Sequence, residues 1–167
     1  MRAIAQAFGA GSRAASYMLG GLVLVLAITV GTTAASTVDV ASWAREVLGF
    51  TFIALLGGLI FTSVLAWVKL SDRRVSGAAL RTWLEAGVQA ANGVTTLALT
   101  YTLFGISLGI GSLAEATLTP ETVHVVIKTL TANFSLAFMT TVVGLPISAL
   151  LRALLLVTHA RRDDAQS

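Results

Sequence analysis

The chain alternates between long apolar runs and short polar links. Four runs contain no charged residue, namely 14–38, 47–68, 86–114 and 129–151. Each is as long as the roughly 20 residues with which an α-helix crosses a bilayer. The pattern therefore predicts an all-α integral membrane protein with four spanning helices, at about 18–37, 47–68, 86–113 and 129–157. These helices take up most of the 167 residues, so the sequence is interpreted as one membrane domain.

Composition supports this interpretation and excludes several classes of functional site. Hydrophobic residues make up 56% of the chain and charged residues 11%, whereas soluble domains carry about 25% charge. The absence of cysteine excludes disulfides, thiolate nucleophiles and Cys-ligated metals. No phosphate-binding loop, catalytic triad or metal-ligand cluster stands out, so we expect no enzyme activity, no cofactor and no metal site.

The basic residues indicate topology rather than a nucleic-acid partner, because the net charge of +3 is small and lies beside apolar runs. With the N-terminus inside, the inner flanks hold nine of the 11 basic residues: Arg2, Arg13, Lys69, Arg73, Arg74, Arg81, Arg152, Arg161 and Arg162. The outer flanks hold Arg45 and Lys128. The positive-inside rule then predicts that both termini are cytoplasmic.

The first segment has a second interpretation. Arg2 and Arg13, the apolar core 22–28 and the small residues 33–36 also fit a cleavable signal peptide. A retained helix and a cleaved peptide are both consistent with the sequence, and the orientation of the other three helices is the same in either case.

The third and fourth segments differ from the first two in carrying stripes of small and polar residues at helical spacing. In the third segment one stripe comprises Asn92, Thr96, Thr100, Ser107 and Gly111, and a second comprises Thr102, Gly105, Gly109 and Ser112. In the fourth segment the stripe is Asn133, Ala137, Thr141, Gly144 and Ser148. Lipid offers hydroxyls and amides no partner, so these faces are expected to meet protein or water. Helix packing and a pore lining are the two alternatives.

Two prolines mark the fourth helix. Thr119, Pro120 and Glu121 form a helix-start signal of N-cap, first-turn proline and first-turn acid. Pro146 lies inside the span, where a missing N–H predicts either a hinge or a kink that fits its neighbours. Glu85, Glu115 and Glu121 flank the spans and are interpreted as solvated, with a proton-entry role as the alternative.

Two motifs resemble those of a known family. Leu103-Phe104-Gly105-Ile106-Ser107-Leu108-Gly109-Ile110 resembles the Leu-Phe-Gly-Thr-Val-x-Gly-Ile signature in the penultimate helix of the MotA/TolQ/ExbB proton-channel proteins. Thr141-Val142-Val143-Gly144-Leu145 resembles their Thr-Ala-x-Gly-Leu motif in the last helix. The likeness covers about residues 86–158. The family's threonine in the penultimate helix is Ile106 here, and the glutamate that several members carry before the last-helix motif is Leu136.

The resemblance implies a homopentamer in the inner membrane of a bacterial cell, whose last two helices surround helices from two copies of a single-span partner with an ion-accepting Asp. It implies that Thr141 lines the pore and that Gly105, Gly109 and Gly144 pack helices. The full set of pore-lining candidates is Thr96, Thr100, Ser107, Asn133, Thr141 and Ser148.

The function expected from this resemblance is a proton or sodium channel subunit of a motor, a stator component that couples ion flow to movement of the partner. Thr141→Val is expected to leave assembly intact and to reduce ion-driven activity sharply. Thr140→Val, about 100° around the helix, is expected to reduce that activity less. Leucine at Gly105 or Gly109 is expected to disperse the assembly. The alternatives are a structural membrane protein, whose stripes serve packing only, and a small transporter.

Overall fold

The computed structural model describes residues 2–33, Val38, 48–72, 74–115, 119–120 and 122–164. Within these ranges the chain forms four long α-helices: α1 (Arg2–Thr33), α2 (Phe50–Ser71), α3 (Ala78–Glu115) and α4 (Val123–Asp164). Each contains a stretch long and apolar enough to cross a bilayer. The predicted all-α class with four candidate spans is confirmed, and it indicates a multi-pass membrane protein. Residues 34–36, where a signal peptide would be cleaved, lie outside the described ranges, as does Arg45.

Helix α1 packs on the C-terminal half of α2. The small residues Ala10 and Ala14 are buried against Val64 and Val68, and small side chains let two helices approach closely. In the described part of the chain α1 contacts α2 and neither α3 nor α4. The first helix is therefore the peripheral element of the bundle.

A short link joins α2 to α3 and brings them back antiparallel. Gly77 has a φ of 59°, a left-handed conformation that glycine adopts without a side-chain clash. Its carbonyl accepts the backbone N–H groups of Leu80 and Arg81, at 3.1 and 3.4 Å, at the start of α3. The turn thereby places the first residues of α3 beside the last residues of α2.

The start of α4 follows the predicted signal with an offset. The Thr119 hydroxyl accepts the backbone N–H of Thr122 at 3.3 Å, and the Thr119 carbonyl accepts that of Val123 at 3.0 Å. Regular helix begins at Val123, three residues after Pro120. Glu121 lies outside the described residues. Thr119 thus serves as the capping residue, as the sequence signal predicts.

Helix α4 continues through Pro146 without a break, and the proline lies on an exposed face. The missing N–H leaves the carbonyl of Val142 without its helical donor, which weakens the helix locally. Whether this position is a hinge stays a prediction.

Basic residues collect at one end of the bundle, which we call the basic end. It is formed by the N-terminal half of α1, the C-terminus of α2, the N-terminus of α3 and the C-terminus of α4. Buried Leu70, Leu80 and Leu155 hold the last three together. The cations at this end whose side chains the structure describes are Arg13, Lys69, Arg74, Arg81, Arg152, Arg161 and Arg162.

Candidate functional site

Helices α3 and α4 form an antiparallel pair whose backbones approach closely. A Cβ added at Gly105 would lie 2.7 Å from the Cβ of Ala137, and one at Gly144 would lie 2.5 Å from the Cβ of Ala98. At Gly109 the added atom would lie 2.8 Å from the ring of Phe134. Such distances leave no room for a side chain. We call this contact the α3–α4 seam.

Hydroxyl groups cross the seam at its basic half. The Ser148 hydroxyl donates to the carbonyl oxygen of Ala91 at 2.7 Å and accepts the hydroxyl of Thr95 at 2.7 Å. Ser148 is buried. One serine of α4 thus satisfies two polar groups of α3 in a region that water does not reach.

A second polar cluster lies further along the seam and is centred on Thr102. Its hydroxyl lies 3.0 Å from the hydroxyl of Thr140 and also contacts that of Thr141. The carbonyl oxygens of Ala98 and Ala137 lie 2.9 and 3.0 Å from the same atom. Five oxygens therefore gather between the two helices, three of them from hydroxyl groups.

The Thr102 cluster is largely closed to solvent. Thr102 and Thr140 are buried, while Thr141 is partly exposed. No buried side-chain nitrogen or oxygen lacks a hydrogen-bond partner in the described ranges. The part of the α4 stripe from Ala137 to Ser148 is consequently covered by α3 of the same chain.

A different face of α3 carries polar groups to the surface. We call it the outer stripe, and its members are all exposed: Gln89, Thr96, Thr100, Ser107 and Gly111. At about 100° per residue, Thr102 and Ala98 each lie two residues and hence about 160° around the helix from Thr100, so this stripe is nearly opposite the seam. Helix α3 thus presents one small face to α4 and a second one outward.

The hydroxyls of the outer stripe have few partners in this chain. Thr96 donates to the carbonyl of Asn92 at 3.2 Å within its own helix. The side chains of Thr100 and Ser107 make no hydrogen bond to any described residue. Both lie within an apolar stretch of α3 that is long enough to span a membrane. In a bilayer they would be satisfied by a second molecule, by water, or by rotation towards a carbonyl of their own helix.

Asn133 occupies a third environment, towards the end opposite the basic end. With Tyr101, Phe104, Leu136 and Thr140 it lines an open cavity of about 290 Å³ between α3 and α4. Its amide makes no hydrogen bond to any described residue. The cavity is mainly apolar, and Asn133, Tyr101 and Thr140 are its polar side chains.

The six pore-lining candidates do not meet at one place within the chain. Thr141 and Ser148 face the seam, whereas Thr96, Thr100 and Ser107 lie on the outer stripe and Asn133 on the cavity. Three further residues belong to these features although the sequence interpretation gave them no role: Thr95, Thr140 and Gln89. Gln89 could have been found from the sequence, because it lies seven residues before Thr96 and therefore on the same helix face.

Carboxylates lie at the margins of this arrangement. Glu85 is exposed one turn before Gln89 and therefore heads the outer stripe. The side chain of Glu115 and all of Glu121 lie outside the described structure. No group of three or more His, Asp or Glu side chains suited to a metal ion occurs among the described residues.

Comparison with known proteins adds no relative, since no family model, curated protein or solved structure matches this chain.

Proposed function

We propose that the protein is a channel subunit for protons or sodium ions in a motor of the MotA/TolQ/ExbB type. In this proposal the chain forms a homopentamer in the bacterial inner membrane, with both termini cytoplasmic. The ring surrounds two copies of a single-span partner that carries the ion-accepting Asp. Ion flow between ring and partner moves the partner.

The observation that carries the proposal is the outer stripe of α3. Unpartnered hydroxyls at Thr100 and Ser107 would be costly against hydrocarbon, because lipid cannot replace their hydrogen bonds to water. A ring that turns this stripe towards a pore or a partner helix removes that cost. Glu85 and Gln89 extend the same stripe towards the basic end, which suits a polar path for an ion.

The seam contributes rigidity to this arrangement. Gly105, Gly109 and Gly144 belong to the motifs that resemble the family, and all three lie where α3 and α4 are closest. Thr141, which matches the family's pore-lining threonine, contacts Thr102 and is partly exposed. A closely packed pair of helices is a suitable repeating unit for a ring.

The structural alternative has its own support in the seam. The hydroxyls of Ser148 and Thr140 are satisfied by α3 of the same chain, as helix packing alone requires. If the outer stripe also met only protein, the chain would be an assembly protein without a pore. The two functions therefore differ in whether water reaches the outer stripe.

The absence of native cysteine makes this difference measurable by single-cysteine labelling. Thr100→Cys and Ser107→Cys, in the assembled protein reconstituted into liposomes, are treated with a charged thiol reagent. Leu99→Cys is the matched control, since Leu99 is also exposed but lies about 100° around the helix from Thr100. A water-filled stripe should react about tenfold faster than the control, because the reactive thiolate forms in water and not in hydrocarbon.

Copy number is measured on the same samples by native mass spectrometry. Five copies together with fast labelling of Thr100→Cys and Ser107→Cys is the expected result. Equal, slow labelling at all three positions would favour the structural alternative. A stable monomer or dimer would contradict the ring.

A further inference from the structure

A pocket lined by cations opens at the basic end, between α1 and the C-terminus of α2. It consists of two adjoining cavities of about 240 and 270 Å³ that share Arg13 and Asp72. Tyr17 and Trp67 line the first cavity, and Lys69 and Arg74 line the second. We call the two together the interfacial pocket.

The charges of the interfacial pocket do not balance. Arg13, Lys69 and Arg74 contribute three positive charges, against one negative charge from Asp72. The Asp72 carboxylate already accepts the backbone N–H of Arg74 at 3.1 Å. Among the described residues, none of the three cations forms an ion pair. The Nε–H of Arg13 donates to the carbonyl of Gly9 at 3.3 Å, and the Lys69 ammonium lies 5.8 Å from the centroid of the Trp83 ring. An anion placed here would therefore meet the terminal N–H groups of Arg13 and the guanidinium of Arg74.

The cations are not needed to cap the helix beside them. The carbonyl oxygens of Leu70, Asp72 and Val75 accept hydrogen bonds from Arg162 at 2.6, 3.1 and 2.7 Å. The partial negative charge at the C-terminus of α2 is thereby already compensated. Arg13 and Arg74 stay available for a ligand.

The aromatic residues place the pocket at headgroup depth. The indole N–H of Trp67 donates to the hydroxyl of Thr158 at 3.0 Å, and the ring of Tyr17 meets it edge-on at 5.3 Å. Tryptophan and tyrosine concentrate at membrane interfaces, where one side of the ring is apolar and the other is hydrated. The apolar part of α1 begins directly after Tyr17.

We propose that the interfacial pocket binds a phosphate group, and that the source of this phosphate is the headgroup of an anionic lipid such as phosphatidylglycerol. Guanidinium groups bind phosphate through paired, charge-assisted hydrogen bonds. Basic pockets between membrane helices are suited to anionic headgroups. The lipid headgroup would contact α1, α2 and the link between α2 and α3. It would thereby stabilise the position of α1, the helix with the fewest protein contacts. The proposal is independent of ion conduction.

The test uses the full-length protein in nanodiscs, with thermal unfolding and native mass spectrometry of retained lipid as measurements. The wild type should retain phosphatidylglycerol in preference to phosphatidylcholine. The double substitution Arg13→Gln with Arg74→Gln should lower this retention about tenfold, as expected for the loss of charge-assisted bonds. Arg13→Lys keeps the charge but cannot form the paired bonds, so its lipid retention should lie between that of Arg13→Gln and that of the wild type.

The control removes the same charge elsewhere at the basic end. Arg81→Gln with Arg161→Gln changes two exposed arginines that do not line the pocket. Retention should stay close to that of the wild type. An equal fall in both double variants would overturn the proposal, because it would show diffuse attraction to the membrane surface. If Arg13→Gln prevents folding, Arg74→Gln alone provides the test, since Arg74 lies in the exposed link.

A further arm separates the two sources of phosphate. Inorganic phosphate is titrated into the lipid-loaded protein at concentrations equal to that of phosphatidylglycerol. Continued retention of the lipid supports a headgroup site. If inorganic phosphate displaces the lipid and raises the unfolding temperature as much as the lipid does, the pocket binds a soluble phosphate. That result would overturn the lipid assignment.

Discussion

Ser148 on α4 donates a hydrogen bond to the carbonyl oxygen of Ala91 on α3, a residue 57 positions earlier in the chain. A carbonyl inside a helix already accepts its own helical N–H, so this contact uses the second lone pair. The bond joins the two helices at a buried position and fixes the axial register of α4 against α3. It also explains why a serine is found in the last span.

Ser148→Ala should lower the free energy of unfolding by about 0.6 kcal/mol, the mean measured for hydrogen bonds between membrane helices, and by no more than about 1.7 kcal/mol, the largest such value. The substitution removes a donor to Ala91 and an acceptor for Thr95 at once. Unfolding in mixed micelles provides the measurement. Ser135→Ala is the control, because Ser135 lies exposed on the same helix. Equal effects at the two serines would show that the seam bond adds nothing.

Thr102 should be more sensitive than either threonine that it contacts. Thr102→Val removes contacts with two hydroxyls and two carbonyls, and we expect a loss of about 1 to 2 kcal/mol. A double-mutant cycle with Thr140→Val should give a coupling energy of about 0.5 kcal/mol or more, because the hydroxyls form one network. Thr131→Val is the control, since its exposed hydroxyl bonds its own helix. Additive effects would contradict the network.

The smaller effect of Thr140→Val on ion-driven activity stays a prediction, but the network adds an effect on stability. Thr140 is buried and its hydroxyl lies 2.7 Å from the carbonyl of Ala137. Thr140→Val should therefore reduce stability. Thr131 replaces it as the neutral reference in any comparison with Thr141→Val.

Leucine at Gly105 should separate α3 from α4. The added side chain would start 2.7 Å from Ala137, and overpacking of this kind costs about 1 to 3 kcal/mol. Gly111→Leu is the control, because the space beside Gly111 is open in the single chain. Unfolding curves should shift strongly for Gly105→Leu and within about 0.5 kcal/mol for Gly111→Leu. Similar shifts at both glycines would show that the seam is not the tightest contact of α3.

Arg162 should stabilise the contact between α4 and the C-terminal end of α2. Arg162→Gln removes bonds to the carbonyls of Leu70, Asp72 and Val75, and hydrogen bonds to charged groups are worth about 1.5 to 3 kcal/mol. Hydrogen exchange of the backbone amides in 70–75 should become faster. Arg161→Gln, one residue earlier and exposed, provides the control. Unchanged exchange in both variants would contradict a capping role.

The chain alone should not conduct protons. The four apolar runs contain no titratable carboxylate, and a proton path through hydrocarbon needs such a group or a continuous file of water. Liposomes that contain only this protein should acidify at the rate of empty liposomes under a potential, with a protonophore as the positive control. Faster acidification would show that the Asp of a partner is not required.

The general architecture could be predicted because it depends on local properties. A run of uncharged apolar residues has few stable states in a bilayer other than a helix, since every backbone group must be hydrogen-bonded. The four spans, and the capping role of Thr119, follow from composition and spacing alone. The same spacing rule also identifies the polar faces of α3 and α4.

The contacts between the faces of α3 and α4 could not be predicted in this way, because the rotation of each helix about its axis depends on packing against its neighbours. The close approach of Gly144 to Ala98 and of Gly105 to Ala137 turns the stripe of α4 towards Thr102. That rotation leaves Thr100 and Ser107 on the opposite side of α3. It also buries Thr140, which lies three residues after Ala137 and four before Gly144 and therefore on the same face of α4. Composition and spacing are thus sufficient for the helices and their polar faces. Which hydroxyls are satisfied within the chain and which face outward depends on packing, because only the packed pair shows where the backbones come close enough to exclude a side chain.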